Sequence, residues 1–257
     1  GNIGSEEKTK AVTEACKRNG IPIRIGINGG SLEKSVLEKH GGVTAEAIVD
    51  SAMGHVRLLE RMGFYDIAVS LKSSNVPMTI EAYRLMAEQK PYPLHVGITE
   101  AGTLWGGTVK SCAGIGAILS MGIGDTIRVS LTGDPVEEVN VGRKLLQALE
   151  LGGGRMIEFV SCPTCGRCCV DLINTAAAVE KRLLELEAKG AFKKPLHVSV
   201  MGCAVNGPGE ARNSDIGLAG GNGEFLLFEK GVVCGKIAME NAVDEFVERV
   251  LRLSTAG

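Results

Sequence analysis

Residues 22–28 read PIRIGIN. Ile23, Ile25 and Ile27 alternate with Arg24, Gly26 and Asn28, and a period of two belongs to a strand, not a helix. Three further stretches repeat the alternation. Residues 66–72 set Val69 and Leu71 against Ala68, Ser70 and Lys72, and residues 94–99 set Leu94, Val96 and Ile98 against His95, Gly97 and Thr99. From residue 125 onward, Ile127, Val129 and Leu131 alternate with Arg128, Ser130 and Thr132. Strands covered on both faces are nearly continuous apolar runs. These four instead carry one apolar face and one face of cations and small residues.

Helical stretches separate the strands. Ser5 followed by Glu6 and Glu7 opens the first by capping and by the helix dipole, and Gly20 closes it. Thr44 opens a second, with Ala47, Ile48 and Ala52 on one face, that ends near Gly63. Others are expected at 79–89, stopped by Pro91, at 109–121 and at 135–150. Strand and helix in alternation imply parallel strands. Gly152, Gly153 and Gly154 in succession cannot hold regular structure and mark a boundary. Beyond it the spacing predicts a strand at 156–160, a helix over 170–189 and a strand at 196–201. Two short strands at 225–228 and 231–237 and a closing helix with Val243, Phe246, Val247 and Val250 complete the chain. We expect an α/β domain over 1–153 and a separate α+β domain over 154–257.

Composition narrows the function. The chain has 257 residues, is 44% hydrophobic and 4% aromatic, and carries a net charge of −2. It lacks the cationic excess and the stacking residues of a nucleic-acid binder. The apolar content excludes disorder, and no apolar run reaches the roughly 18 residues of a membrane span. The opening Gly-Asn-Ile-Gly-Ser has neither an initiator Met nor a signal-peptide pattern. The eight cysteines are too sparse for a disulfide scaffold. Cys162, Cys165, Cys168, Cys169 and Cys203 are clustered, which reads as metal ligands or redox groups. Cys16, Cys112 and Cys234 sit among small or apolar residues as ordinary packing thiols.

The polar strand face admits two readings. One is a solvated sheet face; the other is an anion site, because Arg24, Lys72, His95 and Arg128 converge where small residues leave room for a phosphate or diphosphate. The interior of a (βα) barrel has this character, with chemistry at the C-terminal ends of its strands. Glu100 follows such a strand and is either a proton-transfer acid or a solvated loop residue. A full barrel needs eight strands and about 250 residues, whereas only four strands fit before Gly152. The array is therefore a small open sheet or half of a barrel.

Cys162-Pro-Thr-Cys165 places two thiols on one turn, and Cys203 lies just after a strand in MGCAVNGPGE, residues 201–210. Three thiolates with one further ligand fit an iron–sulfur cluster or a closed zinc site, and the pair alone fits a redox dithiol. Cys168 extends the run to C-x₂-C-x₂-C, as in bacterial ferredoxins, but no C-x₃-C-P completes it. Cys168 and Cys169 are assigned non-ligand roles.

On GNIG at the start, RIGINGGSLEK, ITEAG, GIGDTIRVSL, DPVEEVNVG, CPTCGR and MGCAVNGPGEA, the sequence resembles the 4-hydroxy-3-methylbut-2-en-1-yl diphosphate synthases. These are iron–sulfur enzymes of the non-mevalonate isoprenoid pathway. The resemblance implies the C-terminal half of a TIM (βα)8 barrel, as four βα units, followed by an iron–sulfur domain similar to part of the nitrite and sulfite reductases. It implies a [4Fe-4S] cluster held by Cys162, Cys165, Cys203 and Glu210. The implied substrate is 2-C-methyl-D-erythritol 2,4-cyclodiphosphate, reductively opened and dehydrated with two electrons to a linear allylic diphosphate. Arg24, Asn28, Lys72, His95, Arg128 and Ser130 match positions that grip the diphosphate, and Glu100 matches the acid that handles protons. Flavodoxin or ferredoxin is the implied electron donor. The family forms a head-to-tail homodimer in which the partner's cluster domain closes each barrel mouth. A bacterial cytoplasmic enzyme is expected, a plastid being also compatible. Four further barrel strands precede the position matching Gly1, so a longer parent chain is expected. The alternative from another class is a non-catalytic zinc-stabilised or electron-carrying module that binds a phosphate compound.

Overall fold

Backbone pairing turns the alternating stretches into parallel strands. The computed structural model describes residues 5–152, 156–204 and 213–255. The chain divides into two units, Gly1–Gly152 and Gly153–Gly257. In the first, α1 (Glu6–Asn19) begins where the Ser5 side chain accepts the Lys8 N–H and ends at Gly20, whose φ of 61° is left-handed. β1 (Ile23–Asn28) pairs in parallel with β2 (Ile67–Lys72), with Ile23 opposite Ile67 and Asn28 opposite Lys72. β3 (His95–Gly97) pairs in parallel with β4 (Thr126–Arg128).

Between these pairs the sheet nearly parts. β2 and β3 meet at one bridge, Val69 to Leu94, and the hydroxyl of Tyr83 on α4 (Val76–Ala87) makes up for the missing ladder. It accepts the Leu71 N–H at 3.0 Å and donates to the His95 carbonyl at 2.5 Å. Without it the buried Leu71 N–H and the half-buried His95 carbonyl would lose this shared partner, at a cost of about 1–3 kcal/mol each. Tyr83 is a strut between two strands.

The apolar parity builds the core. Ile25, Ile27, Val69, Leu71, Val96, Ile98 and Val129 pack on α3 (Ala45–Arg61), α4, α5 (Leu104–Ser120) and α6 (Pro135–Ala148). No cationic residue of the opposite parity belongs to that core, so the helices cover one face of the strands and leave the other polar. Two helices start earlier than the periodicity predicts. α4 begins at Val76 because the Asn75 side chain caps it, accepting the Met78 N–H. α5 begins at Leu104, and a short helix, α2 (Lys34–His40), occupies a stretch to which the periodicity assigns no element. β3 and β4 are also shorter than the alternation suggests, so Thr99, Ser130 and Thr132 lie past the strand ends.

The second unit is a five-stranded sheet in the order β5 (Ile157–Ser161), β6 (Leu196–Met201), β7 (Ile216–Gly220), β8 (Glu224–Glu229), β9 (Val232–Ala238). β5, β6 and β7 run parallel, and β8 and β9 continue antiparallel with a bulge between Leu227 and Phe228. α7 (Leu172–Ala188) and α8 (Ala242–Thr255) cover one face, where Val179, Leu183, Phe246 and Val250 pack against Val198, Val200, Ile216 and Leu218. Met201, Ala219 and Phe228 form a small cluster with Cys162.

The central strand β7 has no sequence signal, because two of its five residues are glycine. Those glycines are required by close approach. A Cβ on Gly217 would lie 2.3 Å from Ser199 Oγ, and one on Gly220 2.5 Å from the Gly202 carbonyl oxygen. Among the described residues, no helix is long and apolar enough to cross a membrane.

Candidate functional site

Parallel register assembles the cationic face. Asn28 lies opposite Lys72, Arg24 opposite Ala68, His95 opposite Thr126 and Arg128 opposite Gly97. Gly97 has no room for a side chain, since its Cβ would meet the Arg128 carbonyl oxygen at 2.8 Å. Asn28 begins a 3₁₀ turn at Gly29–Ser31, and its side-chain oxygen accepts the Gly30 N–H at 3.1 Å. Its Oδ1 is thereby committed to the loop, so contact with an anion falls to its NH₂ group.

His95 is the centre of the face. Its Nδ1 lies 2.7 Å from Thr126 Oγ1, while Nε2 is buried with no hydrogen-bond partner among the described residues. Burial, and then the charges of Arg24, Arg128 and Lys72, push the ring's pKa below its ordinary value. The same three cations that the sequence predicts to converge therefore act on one imidazole. Arg24 and Arg128 are exposed, whereas Lys72 and Ser130 are half-buried. Ser130 stands beyond β4 rather than on it.

Glu100 is exposed in the loop after β3, with a left-handed φ of 52° that a residue carrying a Cβ rarely adopts. The loop is tied at both ends: Thr99 donates its N–H to the Ser73 carbonyl at 3.3 Å, and the Thr132 N–H donates to the Gly102 carbonyl at 2.9 Å. Glu100 is thus held at the C-terminal end of the parallel strands, where barrel chemistry occurs.

Thr126 is the residue that sequence reading passes over. Its signal is nonetheless present, since it shares the parity of Arg128 and faces His95 in the parallel register.

In the second unit, the thiols gather at the C-terminal ends of two adjacent strands. Ser161 pairs with Val200, which brings Cys162 beside Met201 and Gly202, the two residues before Cys203. The Gly202 N–H donates to Cys162 Sγ at 3.4 Å, and its carbonyl accepts the Cys169 N–H at 3.3 Å. The Cys168 N–H closes a turn on the Cys165 carbonyl at 3.0 Å. Cys203 is buried, Cys162 half-buried and Cys165 exposed.

Cys168 and Cys169 are engaged elsewhere, their thiols donating to the Val170 and Arg167 carbonyls, each at 3.3 Å. A Cβ on Gly202 would sit 2.7 Å from Cys168 Sγ, so the cysteine turn needs that glycine. Among the described residues, no three His, Cys, Asp or Glu side chains already converge at metal-binding geometry. Glu210, the expected fourth ligand, lies outside the described residues. Soft thiols with a backbone N–H directed at one sulfur are the donor chemistry of an iron–sulfur or zinc centre, and Cys162, Cys165 and Cys203 are the thiols that could hold one.

Comparison with known proteins matches both units. A family model described as the GcpE TIM-barrel domain matches residues 1–143, and one described as the GcpE protein C-terminal domain matches residues 158–252. The chain is similar to a protein of Caldanaerobacter subterraneus subsp. tengcongensis, 57% identical over 253 residues, covering 98% of this chain and 69% of that one. A protein of Clostridium acetobutylicum is 56% identical over 251 residues, covering 97% and 70%. One from Geobacter sulfurreducens is 53% identical over 253 residues, covering 98% and 70%. All three are named 4-hydroxy-3-methylbut-2-en-1-yl diphosphate synthase (flavodoxin).

Proposed function

This chain belongs to the GcpE family, and on that premise we propose that it is an oxidoreductase of isoprenoid precursor synthesis forming 4-hydroxy-3-methylbut-2-en-1-yl diphosphate. The substrate is 2-C-methyl-D-erythritol 2,4-cyclodiphosphate. Two electrons and two protons enter, the ring C–O bond to phosphate breaks, and one water leaves. The observation that carries the reading is the convergence of Arg24, Lys72 and Arg128 on His95, whose buried Nε2 has no partner among the described residues. Such a face fits a diphosphate. A non-catalytic module explains the cations but not the two family matches in chain order.

In this reading Arg24, Lys72 and Arg128 neutralise the diphosphate, with Asn28 and Ser130 as neutral donors and His95 reaching one of its oxygens. Glu100, held in a strained loop conformation, supplies the proton for the oxygen that departs as water. Cys162, Cys165 and Cys203, with Glu210, hold a [4Fe-4S] cluster, which when bound delivers electrons to the substrate. A carboxylate is a harder and more readily displaced ligand than thiolate, and that lability is what Glu210 would bring to the ligand set. Flavodoxin is the named donor of the relatives, and we assign it the same role here, with ferredoxin as a substitute.

The architecture we propose is the later half of a TIM barrel followed by a cluster domain akin to that of the nitrite and sulfite reductases, in a head-to-tail homodimer. The compartment we propose is the reducing cytoplasm of a bacterium, where thiol ligands stay available to a metal. The test is anaerobic purification followed by assay for iron, sulfide and product formation from the cyclodiphosphate with reduced flavodoxin. Visible absorbance that bleaches on reduction is expected. A colourless protein with one tightly held zinc would refute the assignment.

A further inference from the structure

We propose that Thr126 is a positioning residue for His95: its hydroxyl donates to Nδ1, which keeps the ring proton on Nε2 as the donor to a phosphoryl oxygen. The inference rests on reading the cationic face as an anion site. Three observations carry it. Thr126 and His95 are directly opposed in the parallel register, and Oγ1 lies 2.7 Å from Nδ1. Nε2 is buried and makes no hydrogen bond among the described residues. A buried polar atom left in that state is costly, so a partner from outside the chain is called for.

The neighbouring charges decide what that partner must be. Arg24, Lys72 and Arg128 possess donors only, and among the described residues no acceptor lies within hydrogen-bond reach of Nε2. An anion supplies one. A neutral imidazole carries one N–H, so donation from Nε2 leaves Nδ1 with a lone pair, and the Thr126 hydroxyl is the group placed to donate to it. The backbone of His95 is fixed independently, because its carbonyl accepts the Tyr83 hydroxyl. Thr126 therefore selects the tautomer and the ring angle rather than the position of the strand.

The test uses the whole chain with ¹⁵N-labelled histidine, His95→Gln for assignment, and inorganic pyrophosphate as the probe. In the wild type the ¹⁵N shifts of His95 should show the Nε2–H tautomer. Thr126→Val retains a β-branched strand residue but should shift the ring toward a tautomer mixture and weaken pyrophosphate binding about tenfold, the size expected for a hydrogen bond to a charged group. Thr126→Ser should restore both tautomer and affinity, which a packing role for the methyl group would not do. A wild-type tautomer and affinity in Thr126→Val would overturn the inference alone, provided that His95→Gln binds weakly. Undiminished binding in both His95→Gln and Lys72→Ala would overturn the anion site, and this inference with it.

Discussion

His95 sets how the cationic face responds to acid. Its pKa lies below the ordinary value because of burial and because protonation would add a charge beside Arg24, Arg128 and Lys72. The unfolded chain, free of both effects, takes up a proton first as the pH falls. Over that window the unfolded state binds more protons, so stability declines as pH drops. His95→Gln removes this contribution and should give a flatter stability curve between about pH 7 and pH 5, read by urea unfolding at each pH. Parallel curves for the two proteins would show that the ring is not held neutral. At this scale the sequence is informative. Alternation alone places Arg24, Lys72, His95 and Arg128 on one face, since a strand's period fixes which side each residue takes. It puts Thr126 on the same face as Arg128 but does not set it opposite His95, because which residues face each other depends on register, and register is set by pairing and not by either strand alone.

Elements are legible where a periodic apolar set declares them and hidden where packing is achieved by absence of a side chain. β1 can be read from three isoleucines in alternation. β7 cannot, because Gly217 and Gly220 give a strand its close contacts without any apolar pattern. α2 escapes notice because seven residues are too few for a helical period to stand out. The hidden strand has a measurable consequence. Gly217→Ala brings a Cβ within 2.3 Å of Ser199 Oγ and should cost about 1–3 kcal/mol, as overpacking does. The same change at Gly235 on β9 meets open space and should be nearly neutral. Adding Ser199→Ala to Gly217→Ala should recover much of the loss, and failure to do so would place the strain elsewhere.

Tyr83 provides the second test at this scale. Tyr83→Phe leaves the Leu71 N–H and the His95 carbonyl without their shared partner, for a loss of about 1–3 kcal/mol in thermal or urea unfolding. Burial raises the Tyr83 pKa above its ordinary value. The folded state thus keeps a proton that the unfolded chain releases, and stability falls as pH climbs past the ordinary tyrosine range. Wild type should lose stability at alkaline pH more steeply than Tyr83→Phe. Equal slopes would mean that the hydroxyl is not the strut between β2 and β3.

At the scale of the whole molecule, the cations and the thiols belong to different units with separate apolar cores. Each core is built from its own unit's residues, so the two halves of the proposed chemistry should fail independently. Cys203→Ser replaces a buried thiol by a group of similar size that binds iron poorly. It should abolish the visible absorbance and the bound iron and sulfide, while pyrophosphate affinity stays within about twofold of wild type. Lys72→Ala should do the converse. Removing one charged partner should weaken pyrophosphate binding about tenfold or more, with absorbance and iron content unchanged. Both variants should lose product formation, because turnover needs substrate and electrons together. The informative result is therefore the binding and iron measurements made on the same two proteins. Loss of the cluster in Lys72→Ala, or of pyrophosphate binding in Cys203→Ser, would show that the units depend on each other and that neither half of the site is self-sufficient.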